Sequence, residues 1–181
     1  MYLYIYENFR GGKDRQQETE DLIQRCLRQY GEEEALTLED EPLIVRAERG
    51  KPRFLSGFPE FSVSHTGSLW VCAMGTQTVG VDVQKLRRCS MEAIARRYYT
   101  PDEQKYAADM GEEGFFRIWT RKEAYVKFTG QGITEEMRFF STLKDSTEEG
   151  GPVFSDFSIM EGIRGACCMK EKSELWIRQI R

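Results

Sequence analysis

The sequence predicts an α+β fold made of two halves that each hold strands and helix. Three observations predict it. Short runs with strand signals occur at both ends of the chain, the first alternating apolar and aromatic residues. Two intervening segments, near residues 16–30 and 115–128, repeat their apolar residues at the helical period instead. No stretch rich in Gly, Ser or Pro divides the chain, so its 181 residues read as one compact unit.

The elements follow in order. MYLYIYENF alternates apolar and aromatic residues and reads as a strand, with GGKD as the turn after it. From Gln16 to Tyr30 the apolar side chains Leu22, Ile23, Cys26 and Leu27 fall on one helical stripe, and Gly31 is a plausible stop. LIVRAERGKPRF reads as two short strands about a turn at Gly50-Lys51-Pro52. FSVSHTGSLWVCAMGTQTVGVDVQ reads as a strand, a loop leading into a helix start, then a buried strand that carries Asp82. SMEAIARRYY is a helix. Thr100, Pro101 and Glu103 form a helix opening: an N-cap hydroxyl, a proline at the first position and a capping-box glutamate. A further helix spans Phe115 to Phe128 and stops at Gly130. Beyond about Arg138 the runs FFSTL, PVFSDFSIM, GACCM and ELWIRQI read as antiparallel strands. This reading puts residues 1–84 in an N-terminal half ending on the Asp82 strand, and residues 85–181 in a C-terminal half.

Composition narrows the function classes. Five cysteines without C-x-x-C spacing and a single histidine argue against a zinc site and a disulfide framework. They read as buried or incidental thiols of a reducing compartment. No apolar run approaches membrane-spanning length, and the N-terminus lacks a signal-peptide pattern, so a cytoplasmic protein with no membrane partner is expected. The net charge of −4 does not suit a general nucleic-acid binder. Charge is uneven, however. Lys85, Arg87, Arg88, Arg96 and Arg97 crowd residues 85–97, between acidic flanks. Such a run is either a solvated helix face or a docking patch for an acidic partner.

Four short stretches could carry chemistry. In WTRKEAYVKFTG, Trp119, Glu123 and Lys127 fall at i, i+4 and i+8 on one helix face. That is either a surface ion pair or an acid and a base facing a ligand. Asp82, within the apolar VGVDV, either ends its strand in solvent or needs a cation, and Gln84 lies on the same face. Asp82, Glu123 and the Gln84 carboxamide would suit a hard divalent ion that bridges phosphates. Ser64, His65 and Thr66 stand where a strand turns, as an ordinary cap or as a phosphate cradle. Lys51 in its turn is either incidental or a point-charge anchor for phosphate.

Taken in order, Gly-Lys-Pro, Phe-Ser-Val-Ser-His-Thr, Val-Gly-Val-Asp and Trp-x-x-Lys-Glu-Ala-x-x-Lys resemble the 4′-phosphopantetheinyl transferase superfamily. Asp82 and Glu123 are 41 residues apart, as that family has them. The resemblance covers about residues 45–135. It is closest in form to the monomeric, two-half, surfactin-synthetase-activating type, and it extends to the Arg-Arg-Tyr-Tyr-Thr-Pro-Asp-Glu run.

The resemblance implies two similar α/β subdomains in a pseudo-two-fold relation, with antiparallel sheets packed on helices. It implies magnesium-dependent transfer of 4′-phosphopantetheine from coenzyme A to a serine of an apo acyl or peptidyl carrier protein, releasing 3′,5′-ADP. Asp82, Glu123 and Gln84 would be metal ligands, with Gln84 standing where the family often has Glu. Glu123 would also act as base for the serine, and Lys127 would face the phosphate under attack. Lys51, Ser64 and His65 would hold coenzyme A. Lys13 and Arg15 are candidates for its 3′-phosphate. Lys122 belongs to the motif but lies off the Glu123 face, and Trp119 would anchor the helix. The basic run from Lys85 to Arg97 would receive the acidic carrier protein. A magnesium-dependent nucleotide or pyrophosphate hydrolase is the first alternative, although a hydrolase has no need of a coenzyme A cradle. A non-catalytic module that binds coenzyme A or a carrier is the second.

Overall fold

The computed structural model describes residues 1–36, 42–46, 51–87 and 89–180. Gly50 of the expected turn and Arg88 of the basic run lie outside the described residues. The elements run β1 (Tyr2–Tyr6), α1 (Arg15–Glu33), β2 (Ile44–Val45), β3 (Arg53–Phe54), β4 (Glu60–Thr66), β5 (Leu69–Gly75), β6 (Val79–Lys85), α2 (Met91–Tyr98), α3 (Pro101–Thr129), β7 (Val153–Phe157), β8 (Ile163–Met169) and β9 (Trp176–Gln179). Short 3-10 turns lie at Gly12–Asp14 and Glu135–Phe139.

Two sheets form the centre. The first has the order β4-β5-β1-β9 and the second β6-β8-β7. All their pairings are antiparallel except that of β9, which runs parallel to β1. Through β9 the C-terminal end of the chain returns to the sheet begun by the N-terminal residues.

Side-chain alternation sets the layers. Tyr2 and Tyr4 of β1, with Trp70, Cys72 and Met74 of β5, pack on Leu22, Ile23, Cys26 and Leu27 of α1. Leu3 and Ile5, with Val71 and Ala73, point the other way and meet Val79, Val81, Val83, Cys167 and Met169 of the second sheet. The far face of that sheet carries Phe154, Ala166 and Cys168, which pack on Ala124 of α3. The order is therefore helix, sheet, sheet, helix. Each fully buried aliphatic side chain contributes roughly 2 kcal/mol of transfer free energy. The stripe on α1 and the alternation of β1 are what the sequence pattern required.

The LWVCAMG run is a strand, β5, and no helix starts after Ser64-His65-Thr66. β4 and β5 form a hairpin in which Thr66 pairs with Leu69. The run is apolar on both faces because both faces are buried, and a continuous apolar run does not reveal its period. A second difference concerns FFSTL, which is not a strand. Its neighbourhood is held by buried cations instead. Arg121, at 2% exposure, donates to the Thr142 and Lys144 carbonyls at 2.9 Å and to Asp156 at 2.6 and 2.7 Å. Lys122 donates to the Met137 and Phe140 carbonyls. Backbone groups taken by side chains in this way do not form a ladder.

α3 opens with the expected capping box. Thr100 N donates to Glu103 Oε2 at 2.8 Å, and Glu103 N donates to Thr100 Oγ1 at 3.3 Å. It is longer than the helix read from residue 115, and Gly111 breaks it with φ 63° and ψ −143°, a conformation open essentially to glycine alone. Gly130 closes it in the left-handed conformation at φ 75°. Trp119, half-buried, stacks over Phe115 and meets Tyr98 edge-on, so it ties α3 to α2.

Candidate active site

β4 and β6 lie side by side at the joint between the two sheets, and hydroxyls make the joint. Val81 N donates to Ser62 Oγ at 3.1 Å, Val83 N to Ser64 Oγ at 3.3 Å and Lys85 N to Thr66 Oγ1 at 3.0 Å. Every second residue of one strand thus covers every second N–H of the other, and the edge of β6 is closed without a backbone ladder. The period-two spacing of the serines is legible in SVSHT, but this use of it is not.

Val79, Val81 and Val83 face the first sheet, so Gly80, Asp82 and Gln84 face α3. Asp82 is 2% exposed. Its Oδ1 accepts from Ser64 Oγ at 2.8 Å and from Lys127 Nζ at 2.7 Å, and its Oδ2 accepts from Gln84 Nε2 at 3.0 Å. Lys127 also donates to the Val81 carbonyl at 2.9 Å. Glu123 stands one helical turn before Lys127 and is 8% exposed. Among the described residues no hydrogen bond or salt bridge reaches it. Burial, and then the charge of Asp82, push its carboxyl up to about 7 against the opposing pull of Lys127.

These groups line a cleft of about 630 Å³. Asp82, Gln84, Glu123, Lys127, Ser64 and His65 all belong to its wall. Burial, then Arg15 and Lys127, hold the His65 imidazole below its ordinary value, and its ring leans on Phe9 with centroids 5.0 Å apart. Arg15, Gln16 and Thr19 of α1 and Arg46 complete a basic and polar flank. A smaller lobe of about 230 Å³ shares Glu123, Lys127 and Ile133 and extends to Lys51.

Most sequence-picked residues therefore converge, with three differences of detail. The Ser64 hydroxyl is engaged with Asp82, which makes it a support of the carboxylate instead of a free phosphate donor. Lys51 lines the smaller lobe, and its ammonium donates to the Val79 carbonyl at 2.6 Å. Lys13 does not line the cleft, whereas Arg15, two residues on, does. The reading missed Gln16 and Thr19, which the phase of α1 puts beside Arg15. It also missed Arg46, Trp70 and Ile133, for which the sequence holds no local signal.

The donor set fits a hard divalent cation. Two nearly buried carboxylates lie close enough for one to raise the other, and one of them has no hydrogen-bond or ion-pair partner among the described residues. A cation relieves that arrangement, and the Gln84 carboxamide offers a third oxygen. Among the described residues no cluster of three His, Cys, Asp or Glu side chains exists, so water or substrate oxygens would supply the remaining ligands.

Comparison with known proteins bears on this geometry. A family model described as the 4′-phosphopantetheinyl transferase superfamily matches residues 78–163, from β6 to the start of β8. The chain is 39% identical over 97 residues to 4′-phosphopantetheinyl transferase HetI of Nostoc sp., covering 48% of this chain and 41% of that protein. It is 30% identical over 154 residues to 4′-phosphopantetheinyl transferase psf-1 of Bacillus pumilus, covering 76% and 65%. It is 33% identical over 100 residues to 4′-phosphopantetheinyl transferase Sfp of Bacillus subtilis (strain 168), covering 52% and 44%. The matched stretches thus span less than two thirds of each of these relatives.

Proposed function

From its similarity to the 4′-phosphopantetheinyl transferase superfamily, and to relatives of the surfactin-synthetase-activating type, we propose that the chain belongs to that superfamily and moves 4′-phosphopantetheine from coenzyme A to a serine of an apo acyl or peptidyl carrier protein, releasing 3′,5′-ADP. The observation that carries the reading is the meeting of Asp82, Glu123 and Lys127 in one cleft. The cleft is large enough to hold much of an extended nucleotide, and its flank is basic.

Each residue has a task. Arg15, Arg46 and His65 receive the phosphates of the nucleotide end. Asp82 and Glu123, with Gln84, would hold magnesium, which would supply charge neutralisation to the pyrophosphate. Lys127 exchanges part of its hold on Asp82 for the phosphate under attack. Glu123 takes the proton from the serine hydroxyl. The serine oxygen bonds to the phosphorus next to pantetheine, and the bond from that phosphorus to the bridging oxygen breaks. That oxygen leaves with 3′,5′-ADP, and the proton on Glu123 passes to solvent. That carboxyl stands up to about 7 in the metal-free protein, and a bound cation would lower it, so Glu123 would meet the serine already ionised. Such transfers depend mainly on positioning and charge neutralisation.

The direct test is release of 3′,5′-ADP from coenzyme A, followed by chromatography with magnesium and an apo carrier protein. Release that needs both supports transfer. Release without a carrier indicates a hydrolase.

Gln84 gives a sharper expectation. Gln84→Glu adds a charge beside Asp82, raises magnesium affinity about tenfold, and destabilises the metal-free protein. A magnesium titration of the rate with an unchanged midpoint would remove Gln84 from the site.

Exposed Lys85, at the end of β6, and exposed Arg87, just beyond it, begin the surface proposed to receive the carrier. Lys85→Glu with Arg87→Glu is expected to raise the KM for carrier several-fold at low salt, with the KM for coenzyme A unchanged. Raising the salt should shrink the difference. A carrier KM that does not move would place docking elsewhere.

A further inference from the structure

Lys122 adjoins Glu123 in sequence but faces away from the cleft, into a second polar cluster. Its ammonium is fully buried and has three oxygen partners. These are Glu103 Oε2 at 2.9 Å, the Met137 carbonyl at 2.6 Å and the Phe140 carbonyl at 2.7 Å. It also lies 4.4 Å from the centre of the Phe140 ring. Glu103, likewise fully buried, accepts from Thr142 N at 2.7 Å and Thr142 Oγ1 at 3.0 Å through its other oxygen. One ion pair therefore ties together the capping box of α3, the turn of α3 that bears Glu123, and the segment 137–142.

That segment continues the wall of the cleft. After the left-handed cap at Gly130, residues 131–136 run past the site before Lys122 fixes residues 137 and 140. Gly130 and Gly132 line the smaller lobe, and Ile133 lines both lobes. Ile133 is 53% exposed, a large apolar side chain at the rim without cover. An ammonium has three donors and here has three acceptors, so the clamp is saturated. A buried pair is weak evidence for stability, since apolar replacement of both partners is often neutral. Fixing a segment in place is the use that remains.

We propose that Lys122, paired with Glu103, is a positioning residue that holds segment 130–140 as a wall of the cleft, so that Ile133 closes on bound coenzyme A beside Glu123 and Lys127. This rests on coenzyme A being the substrate, as proposed above. The sequence reading left Lys122 without a role because its side chain is off the Glu123 face. That is where a clamp on the next segment has to be.

Removing one charge alone would strand the other in the core, so the test replaces both, as Glu103→Gln with Lys122→Met. This pair variant is compared with Ile133→Ala, with the triple combination and with wild type. Coenzyme A binding is measured by calorimetry with magnesium, and amide hydrogen exchange is followed by mass spectrometry. The pair variant and Ile133→Ala are each expected to weaken coenzyme A binding about tenfold, and the triple variant to be no weaker than the worse of its parents. Exchange in residues 131–140 should rise in the pair variant while residues 112–129 stay protected. Losses that multiply in the triple variant, or unchanged exchange in residues 131–140, overturn the proposal and leave the functional reading standing. Absence of coenzyme A binding in wild type overturns both. Should the pair variant not fold, Lys122→Arg carries the same comparison, since it keeps the charge without three converging donors.

Discussion

Glu123→Gln is expected to abolish transfer and, at the same time, to stabilise the metal-free protein above neutral pH. Burial and the charge of Asp82 hold the Glu123 carboxyl up to about 7, against an ordinary value of 4.5. Between those values the folded protein keeps a proton that the unfolded chain has released. The contribution of this group to stability is therefore complete below about pH 4.5 and is lost as pH rises through 7. The loss amounts to about 3 kcal/mol by pH 8. Glutamine has no such titration, so the variant should match wild type near pH 4.5 and exceed it by up to about 3 kcal/mol at pH 8. Magnesium should narrow the gap by binding only wild type. For the same reason, magnesium affinity of wild type should climb through pH 7 as the proton leaves. Loss of the base alone costs about 10²- to 10⁴-fold in rate, and loss of a ligand adds to it. Urea unfolding at two pH values, with and without magnesium, checks the stability claim. A variant less stable than wild type at pH 8 would show that Glu123 is satisfied by its surroundings.

Gly80→Ala is expected to be the most damaging glycine-to-alanine change among the described residues. A Cβ at position 80 would overlap the Ala124 carbonyl oxygen and lie 2.5 Å from Phe128 N. Both are backbone atoms of α3, and no side-chain rotation relieves them. Overpacking usually costs about 1–3 kcal/mol, and a clash with helix backbone should reach or exceed the top of that range. The same step moves α3 away from β6, and with it Glu123 and Lys127 away from Asp82. Stability and transfer should therefore fall together, and the Lys127–Asp82 contact of 2.7 Å should open. Denaturant unfolding and transfer assays on Gly80→Ala check both. Retained stability with retained activity would mean that the helix does not depend on this close approach.

The site was legible in the sequence to the extent that it is made of short-range patterns. The spacing of Glu123 and Lys127 is one helical turn, and that of Asp82 and Gln84 is one strand repeat, so each pair declares its own shared face. The capping box at Thr100 and Glu103 is likewise local, and it is present as read. Misreadings arose where burial or long-range partners override local period. β5 is apolar throughout because α1 and the second sheet cover its two faces, so it showed no alternation. FFSTL reads as a short strand, yet Arg121 and Lys122 take its Thr142 and Phe140 carbonyls from a helix some twenty residues earlier in the chain. Arg46 and Ile133 reach the cleft through tertiary folding alone, and no spacing rule could have selected them. The period places Ser62 and Ser64 on one face, but it does not reveal that their hydroxyls, with that of Thr66, close the edge of β6.

Intact-protein mass spectrometry of an apo carrier protein, incubated with this protein, coenzyme A and magnesium, tests the central claim most directly. Glu123→Gln is run beside wild type, and several unrelated acyl and peptidyl carriers are tried. The expected result is a gain of one phosphopantetheine on at least one carrier, dependent on magnesium and absent with Glu123→Gln. A gain that persists in Glu123→Gln, or no gain on any carrier while coenzyme A remains bound, would contradict it.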